Sequence, residues 1–469
     1  MNPDIRRPDH SMQPNQPRKP IFTRPMPAAV PRPSQPMPAA SPPRPDAALP
    51  GLNRTPPLQS SQRPRFSKKS LLILAITIVV LLAGGAVYAY FAGKRTPSSQ
   101  QNTQNTNGAA TTSPTSIKFI ATGDFIAHDS VNAAAKQGDG SYSYLPMMQD
   151  FTPLFKDADI KFCNDPILNG GTQFGIAGYP KFNSPTDFVT DMGRLGCNLV
   201  NTASNHSFDK NQDAISASVT AWDKVPHMLA VAGQNRSKSE HDAVHVFTVK
   251  GVKFAFLAYT AYINNDAPVQ NDYGVNVFTK DFAGTQIASA KQQGAQVIIA
   301  SMRWGTEYST SVDAEQKADA QWLADQGVSL ILGHGSHELQ PVQALTGSGG
   351  NKTLVWYSLG NFINTQLPPE TLFNGIAVMN IDVKTKQVSI AGYLPIYMHY
   401  EWTAAQAAAE NTNARNNLHL YLLEDATQAM VDKQQLKTTI DAQKTRITNT
   451  LIANGLTIPL LTSKQYLAL

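Results

Sequence analysis

Cysteine is nearly absent: the 469 residues contain two, Cys163 and Cys197. That excludes a small disulfide-rich scaffold. There is no Cys-x-x-Cys pair and no Cys/His zinc spacing, so a finger-type zinc centre is excluded as well. Both cysteines lie in apolar, strand-like contexts, where a disulfide and a buried pair of free thiols are equally consistent with the sequence. Acidic residues are scarce in the first 69 positions. That stretch holds 18 of the 32 prolines, and twelve Lys or Arg against Asp4, Asp9 and Asp46, a net charge of +9. Such a composition cannot bury a core, and residues 1–69 are expected to form an extended, solvated, cytoplasmic tail. The whole chain carries +5, so residues 70–469 carry −4. The basic balance therefore belongs to the tail.

Long hydrophobic runs are lacking too, with one exception. Leu71 to Phe91 is a run of 21 residues without charge, long enough to span a bilayer. Arg63, Arg65, Lys68 and Lys69 precede it, and only Lys94 and Arg95 follow closely. That bias predicts a transmembrane helix over 70–93, with the tail in the cytoplasm and the rest outside. The run is too long, and too far from residue 1, for a signal peptide. The expected placement is a single-pass protein of the cell membrane, in contact with the bilayer, and a single span disfavours a transporter or channel. Residues 94–116, rich in Ser, Thr, Gln, Asn and Gly, read as a flexible linker. Residues 117–400 are the one candidate for a large globular domain. Residues 401–469 are expected to form a C-terminal helical subdomain with His419, Tyr421, Leu422 and Met430 in its core. No nucleic-acid partner is expected for the acidic outer domain.

What the domain does have is a series of short polar motifs, most of them after apolar, β-branched runs. They are Gly123-Asp124, Asn164-Asp165, Asn205-His206-Ser207-Phe208-Asp209, Arg303-Trp304-Gly305-Thr306-Glu307-Tyr308 and Gly333-His334-Gly335-Ser336-His337. Strand-like runs such as Ile117 to Ala121, Val297 to Ala300 and Val328 to Leu332 precede them. Polar groups at successive strand ends meet along one sheet edge, where open α/β folds bind ligands. Asp, Asn and His together suit a divalent metal. His206 suits proton transfer or oxyanion stabilisation, and Asp209 suits the orientation of its imidazole. Elsewhere βα units mix with consecutive strands, as in the hairpin of Ala243–Val249 and Lys253–Tyr259. This predicts an α/β fold of two mixed sheets with helices outside.

These residues resemble the CapA proteins of capsule synthesis, accessory proteins of poly-γ-glutamate synthesis whose fold is similar to calcineurin-like metallophosphatases. Gly123-Asp124, Ser204 to Asp209, Trp304 to Tyr308, Gly333 to Pro341 and Tyr357 to Phe362 carry the resemblance, in the family's order and spacing. The resemblance implies a four-layer sandwich of two mixed sheets flanked by helices. It implies metal ligands at Asp124, Asn164, Asn205, His334 and His337, with one or two Mn, Fe or Zn ions. It implies catalysis by His206 with Asp209. Arg303, Glu307 and Asn361 are the candidates for contacts to substrate or anion.

Two departures cut against a working metal centre. The family usually has His where this chain has Arg303, and a Glu where it has Asn164. Arginine cannot ligate a cation and repels one, but binds carboxylate or phosphate well. Asp165 would replace the lost carboxylate only through a local bulge. The resemblance implies a membrane-anchored protein acting in capsule or anionic-polymer synthesis or export, with capsule-synthesis membrane proteins as partners. The open choice is between metal-assisted hydrolysis or transfer and a non-catalytic scaffold that holds an acidic polymer.

Overall fold

The computed structural model describes residues 115–264 and 271–469. The expected tail, membrane span and nearly all of the linker lie outside the described residues. Among the described residues no helix is long and apolar enough to cross a membrane.

Two mixed sheets organise the domain. The first contains β1 (Ser116–Phe125), β2 (Ile160–Asn164), β3 (Leu199–Asn201) and β4 (Ala230–Ala232), which run parallel. The second contains β5 (His245–Val249), β6 (Val252–Thr260), β7 (Val297–Arg303), β8 (Leu330–His334), β9 (Val342–Thr346) and β10 (Lys352–Trp356), in the order β5-β6-β7-β8-β10-β9. The chain then returns to the first sheet. β11 (Asn361–Ile363) pairs with β1, and β12 (Phe373–Asp382), β13 (Val388–Glu401) and β14 (Asn416–Leu422) extend it in the order β14-β13-β12-β1-β2-β3-β4.

Alternation along the strands explains the layering. On β6, Phe254, Phe256 and Ala258 join the large core shared with the first sheet. The intervening Ala255, Leu257 and Tyr259 join a second core beneath two helices, which supply Ala283, Ile287 and Ala290 from Lys280–Gln292 and Ala320 and Leu323 from Ala314–Asp325. The helices Thr186–Leu195 and Gln212–Trp222 add Phe188, Met192 and Trp222 to the large core. The strands expected at residues 117–121, 243–249, 253–259, 297–300 and 328–332 are thus present, with boundaries shifted by a few residues.

The C-terminal segment is helical only in part: helices span Ala404–Ala408, Gln428–Lys433, Ile440–Ile452 and Ser463–Leu467, but one stretch among them is not. Asn416–Leu422 is a strand paired antiparallel with β13. His419 faces Asp150 at 2.8 Å instead of lying in a helical core. Its sequence, Asn-Asn-Leu-His-Leu-Tyr-Leu, alternates, with Leu418 and Leu420 buried. The Ala- and Gln-rich surroundings masked that period of two. Leu418, Leu420, Val431, Ile447, Leu451 and Tyr466 all belong to the large core, so the segment packs onto the main domain.

Cys163, in β2, and Cys197, just before β3, form a disulfide. It closes a loop with a sequence separation of 34, which stabilises the fold by about 2–4 kcal/mol through chain entropy. Replacing both with serine should lower the urea midpoint correspondingly. An unchanged midpoint would mean that the bond contributes nothing to stability.

Candidate functional site

Strand register builds the site. Asp124 at the end of β1 pairs in register with Asn164 of β2 on one side and Asn361 of β11 on the other. Asn164 in turn pairs with Asn201 of β3. In-register neighbours share a sheet face, so four polar side chains form a row along one edge. Asn164 Nδ2 donates to Asp124 Oδ1 at 2.6 Å, and Asn201 Nδ2 donates to Asn164 Oδ1. From the second sheet, Arg303 ends β7 and His334 ends β8, again as register partners.

Two glycines permit this convergence. A Cβ on Gly123 would lie 2.0 Å from the Gly360 carbonyl oxygen, and one on Gly333 would lie 2.1 Å from that of Tyr357. Only glycine allows the segment after β10 to pass so close to the ends of β1 and β8.

His337 Nδ1 lies 2.9 Å from Asp124 Oδ2 and 3.1 Å from Asn361 Oδ1. His337 and Tyr308 both adopt left-handed backbone, with φ of 63° and 57°, at a cost of about 1 kcal/mol or more each. Their rings lie 5.8 Å apart. Such strain concentrates at functional sites. Burial alone would raise the Asp124 pKa, but the hydrogen bond and charge of His337 lower it overall.

His334 lies behind this row, fully buried. Its Nε2 is 3.0 Å from Ser301 Oγ and 3.2 Å from Asn201 Nδ2. Burial lowers its pKa to about 3, so the ring is neutral. His206 Nδ1 is 2.7 Å from Asp209 Oδ2, and the Phe182 amide donates to the same oxygen at 2.7 Å. This fixes the imidazole for proton exchange through Nε2. Asn205 does not join the Asp124 row through hydrogen bonds. Its amide donates to Asn264 Oδ1 at 3.0 Å and its carbonyl accepts from Ser204 Oγ at 2.9 Å.

Arg303 is almost entirely buried, with 1 % of its side chain exposed. It donates to Tyr262 Oη and, at 2.6 Å, to Glu307 Oε1. Its guanidinium carbon lies 4.5 Å from the centroid of the Tyr262 ring. A cleft of about 370 Å³ opens over these groups, lined by Asp124, Asn205, His206, Arg303, Glu307 and His337, and further along by His128 and Arg415.

Asp165 does not replace the missing carboxylate. It points away from the row, accepting from Asn169 Nδ2 at 2.7 and 2.9 Å and from Trp222 Nε1 at 3.2 Å. Burial raises its pKa to about 7. The β1–β2 ladder is irregular between Ala121 and Asp124, but this does not bring Asp165, one residue past the end of β2, into the row.

The chemistry of the donor set decides whether a divalent metal suits this site. The cleft floor offers one carboxylate, Asp124, and both of its oxygens already accept hydrogen bonds. The Arg303 cation sits among the candidate ligands and lowers the His334 pKa by repulsion. Among the described residues no group of three His, Cys, Asp or Glu could hold a metal ion. One atom argues the other way: His334 Nδ1 is buried and makes no hydrogen bond. Asp124 is already held by two hydrogen bonds, and a guanidinium that cannot ligate stands among the candidate ligands, so the residues do not fit a two-metal centre.

Sequence reasoning missed Asn201, Tyr262, Asn264 and Arg415. Asn201 carried a usable signal, since it ends β3 just as Asn164 ends β2. The others lie outside any motif.

The chain matches the family described as "Bacterial capsule synthesis protein PGA_cap" over residues 118–366. It belongs to that capsule synthesis family. It is 27% identical over 169 residues to the PGA biosynthesis protein CapA of Bacillus subtilis (strain 168), covering 36% of this chain and 43% of the relative. It is 27% identical over 182 residues to the capsule biosynthesis protein CapA of Bacillus anthracis, covering 38% and 43%. The match thus spans less than half the length of each of these two relatives. Among solved structures, it is similar to the NAD nucleotidase NadN of Haemophilus influenzae, with a TM-score of 0.39, 14% identity, and 60% of this chain and 50% of that one covered. The calcineurin-like phosphoesterase YfkN from Bacillus subtilis gives a TM-score of 0.34, 12% identity, and coverage of 72% and 96%.

Proposed function

We propose that this domain handles an anionic capsule polymer of the poly-γ-glutamate type by binding its acidic groups in the cleft, without metal-assisted hydrolysis. The observation that carries the reading is Arg303, a buried guanidinium at the cleft floor where the family usually has an imidazole. Its Glu307 partner is partly exposed, and a polymer carboxylate can displace it. Such a bidentate exchange keeps the guanidinium charge paired throughout. The Leu71–Phe91 run would hold the domain at the outer face of the cell membrane, close to the membrane proteins that make or export the polymer.

Binding of a γ-glutamyl oligomer, measured by calorimetry on the full chain, tests this. Arg303→Gln should weaken it about tenfold to a hundredfold, the worth of one charged hydrogen-bonded pair. Equal affinity of the variant and the wild type would exclude Arg303 as the anchor.

A second reading, a metal-dependent hydrolase, is favoured by the orphaned Nδ1 of His334. It requires near-stoichiometric Mn, Fe or Zn in the purified protein, lost on His337→Ala.

A further inference from the structure

Arg415 lines the same cleft but comes from beyond the family match, which ends at residue 366. It is 6 % exposed. Its guanidinium lies against two rings, 4.7 Å from the centroid of Tyr400 and 4.9 Å from that of Trp402. Nη1 donates to the Thr365 carbonyl, whereas Nε and Nη2 are buried without a hydrogen-bond partner. Arg415 has no carboxylate partner among the described residues. The acids that line the cleft are engaged elsewhere: Asp124 with His337, Glu307 with Arg303, and Asp129 with the Gly178 amide.

A buried cation without a counter-charge is costly, by several kcal/mol in general. Every other basic group on the cleft wall is paired with a carboxylate or neutral. His128 illustrates this. The Thr365 amide donates to its Nδ1 at 3.3 Å, which leaves the ring proton on Nε2. Burial first, then the charges of His337 and Arg415, lower its pKa to about 3. His128 lines the same cleft as Arg303, His337 and Arg415.

We infer that Arg415 anchors a second anion subsite in this cleft, one that receives a further carboxylate of the polymer whose first carboxylate is held at Arg303. The inference rests on the acidic-polymer reading above. The two aromatic rings hold the guanidinium plane in place, and its unpartnered N–H groups supply the donors that a carboxylate needs. The subsite would be particular to chains that carry this C-terminal segment.

The test titrates a γ-glutamyl oligomer into the full-length wild type, Arg415→Gln, Arg415→Lys and Arg303→Gln. Arg415→Gln should weaken binding about tenfold or more, with Arg415→Lys intermediate because it keeps charge but loses the fork. Oligomer binding should also shift tryptophan emission in the wild type, and Trp402→Phe should remove that shift. This second readout decides the matter if Arg415→Gln does not fold. Wild-type affinity in both Arg415 variants, with binding lost in Arg303→Gln, would overturn the second subsite and leave the polymer reading intact. A wild type that binds no oligomer would overturn both.

Discussion

The double variant Arg303→His/Asn164→Glu should retain a divalent metal near-stoichiometrically after dialysis, where the wild type retains only background. Register makes the expectation specific. An imidazole at 303 would stand beside His334, its in-register neighbour, whose Nδ1 is buried without a partner. A carboxylate at 164 would stand beside Asp124, its in-register neighbour on β1. Asn164 and His334 both reach Asn201, so the two changes fall within one cluster. Together they remove one positive charge and add one negative charge, which makes the site more attractive to a dication. The partners that Arg303 would leave, Tyr262 and Glu307, are partly exposed and can be solvated. Elemental analysis of the purified proteins reads the outcome. A metal-free double variant would show that Arg303 and Asn164 are not what excludes metal. A metal-loaded wild type would favour the hydrolase reading.

The legible part of this protein was the strand-end chemistry. Apolar runs followed by Asp124, Arg303 and His334 reveal themselves because buried parallel strands must be continuously apolar and must end where polar groups reach solvent. The asparagine row was half legible. Asn164 stands among the short polar motifs, whereas Asn201 does not, although the same register argument applies to it. What stayed hidden depends on distances that no local period encodes. Asn205 turns to Asn264 and not toward Asp124, a choice made by the loop after β6. Asp165 has a metal-like identity, but just past the end of β2 it turns to Asn169 and Trp222. Arg415 sits in an Ala- and Asn-rich stretch with no motif. Only the return of β14 to the first sheet, beside β13, brings it to the cleft.

Stability should fall as pH drops from about 6.5 to about 4, and Asp165→Asn should make that fall about twice as steep. The signs follow from three buried groups. His128 and His334 have folded pKa values of about 3 against an ordinary 6.5. Their stabilisation is complete above 6.5 and is lost on acidification, because the unfolded chain takes up protons that the folded chain refuses. Each contributes a slope of about 1.4 kcal/mol per pH unit. Asp165 works in the opposite sense. Its folded pKa of about 7 lies above the ordinary 3.8, so between those values the folded state holds a proton that the unfolded state has released. Its stabilisation is complete below 3.8 and is lost as pH rises toward 7. Over the shared window the two histidines outweigh the one aspartate, for a net loss of about 1.4 kcal/mol per unit of acidification. Lesser shifts enter on both sides, with His245 and His399 lowered and Asp319 and Glu338 raised. Asparagine at 165 removes the opposing contribution and leaves about 2.7 kcal/mol per unit. Urea midpoints across this range, in the wild type and Asp165→Asn, measure both slopes. Parallel slopes would mean that Asp165 is already ionised in the folded protein, and that its Asn169 and Trp222 hydrogen bonds outweigh its burial.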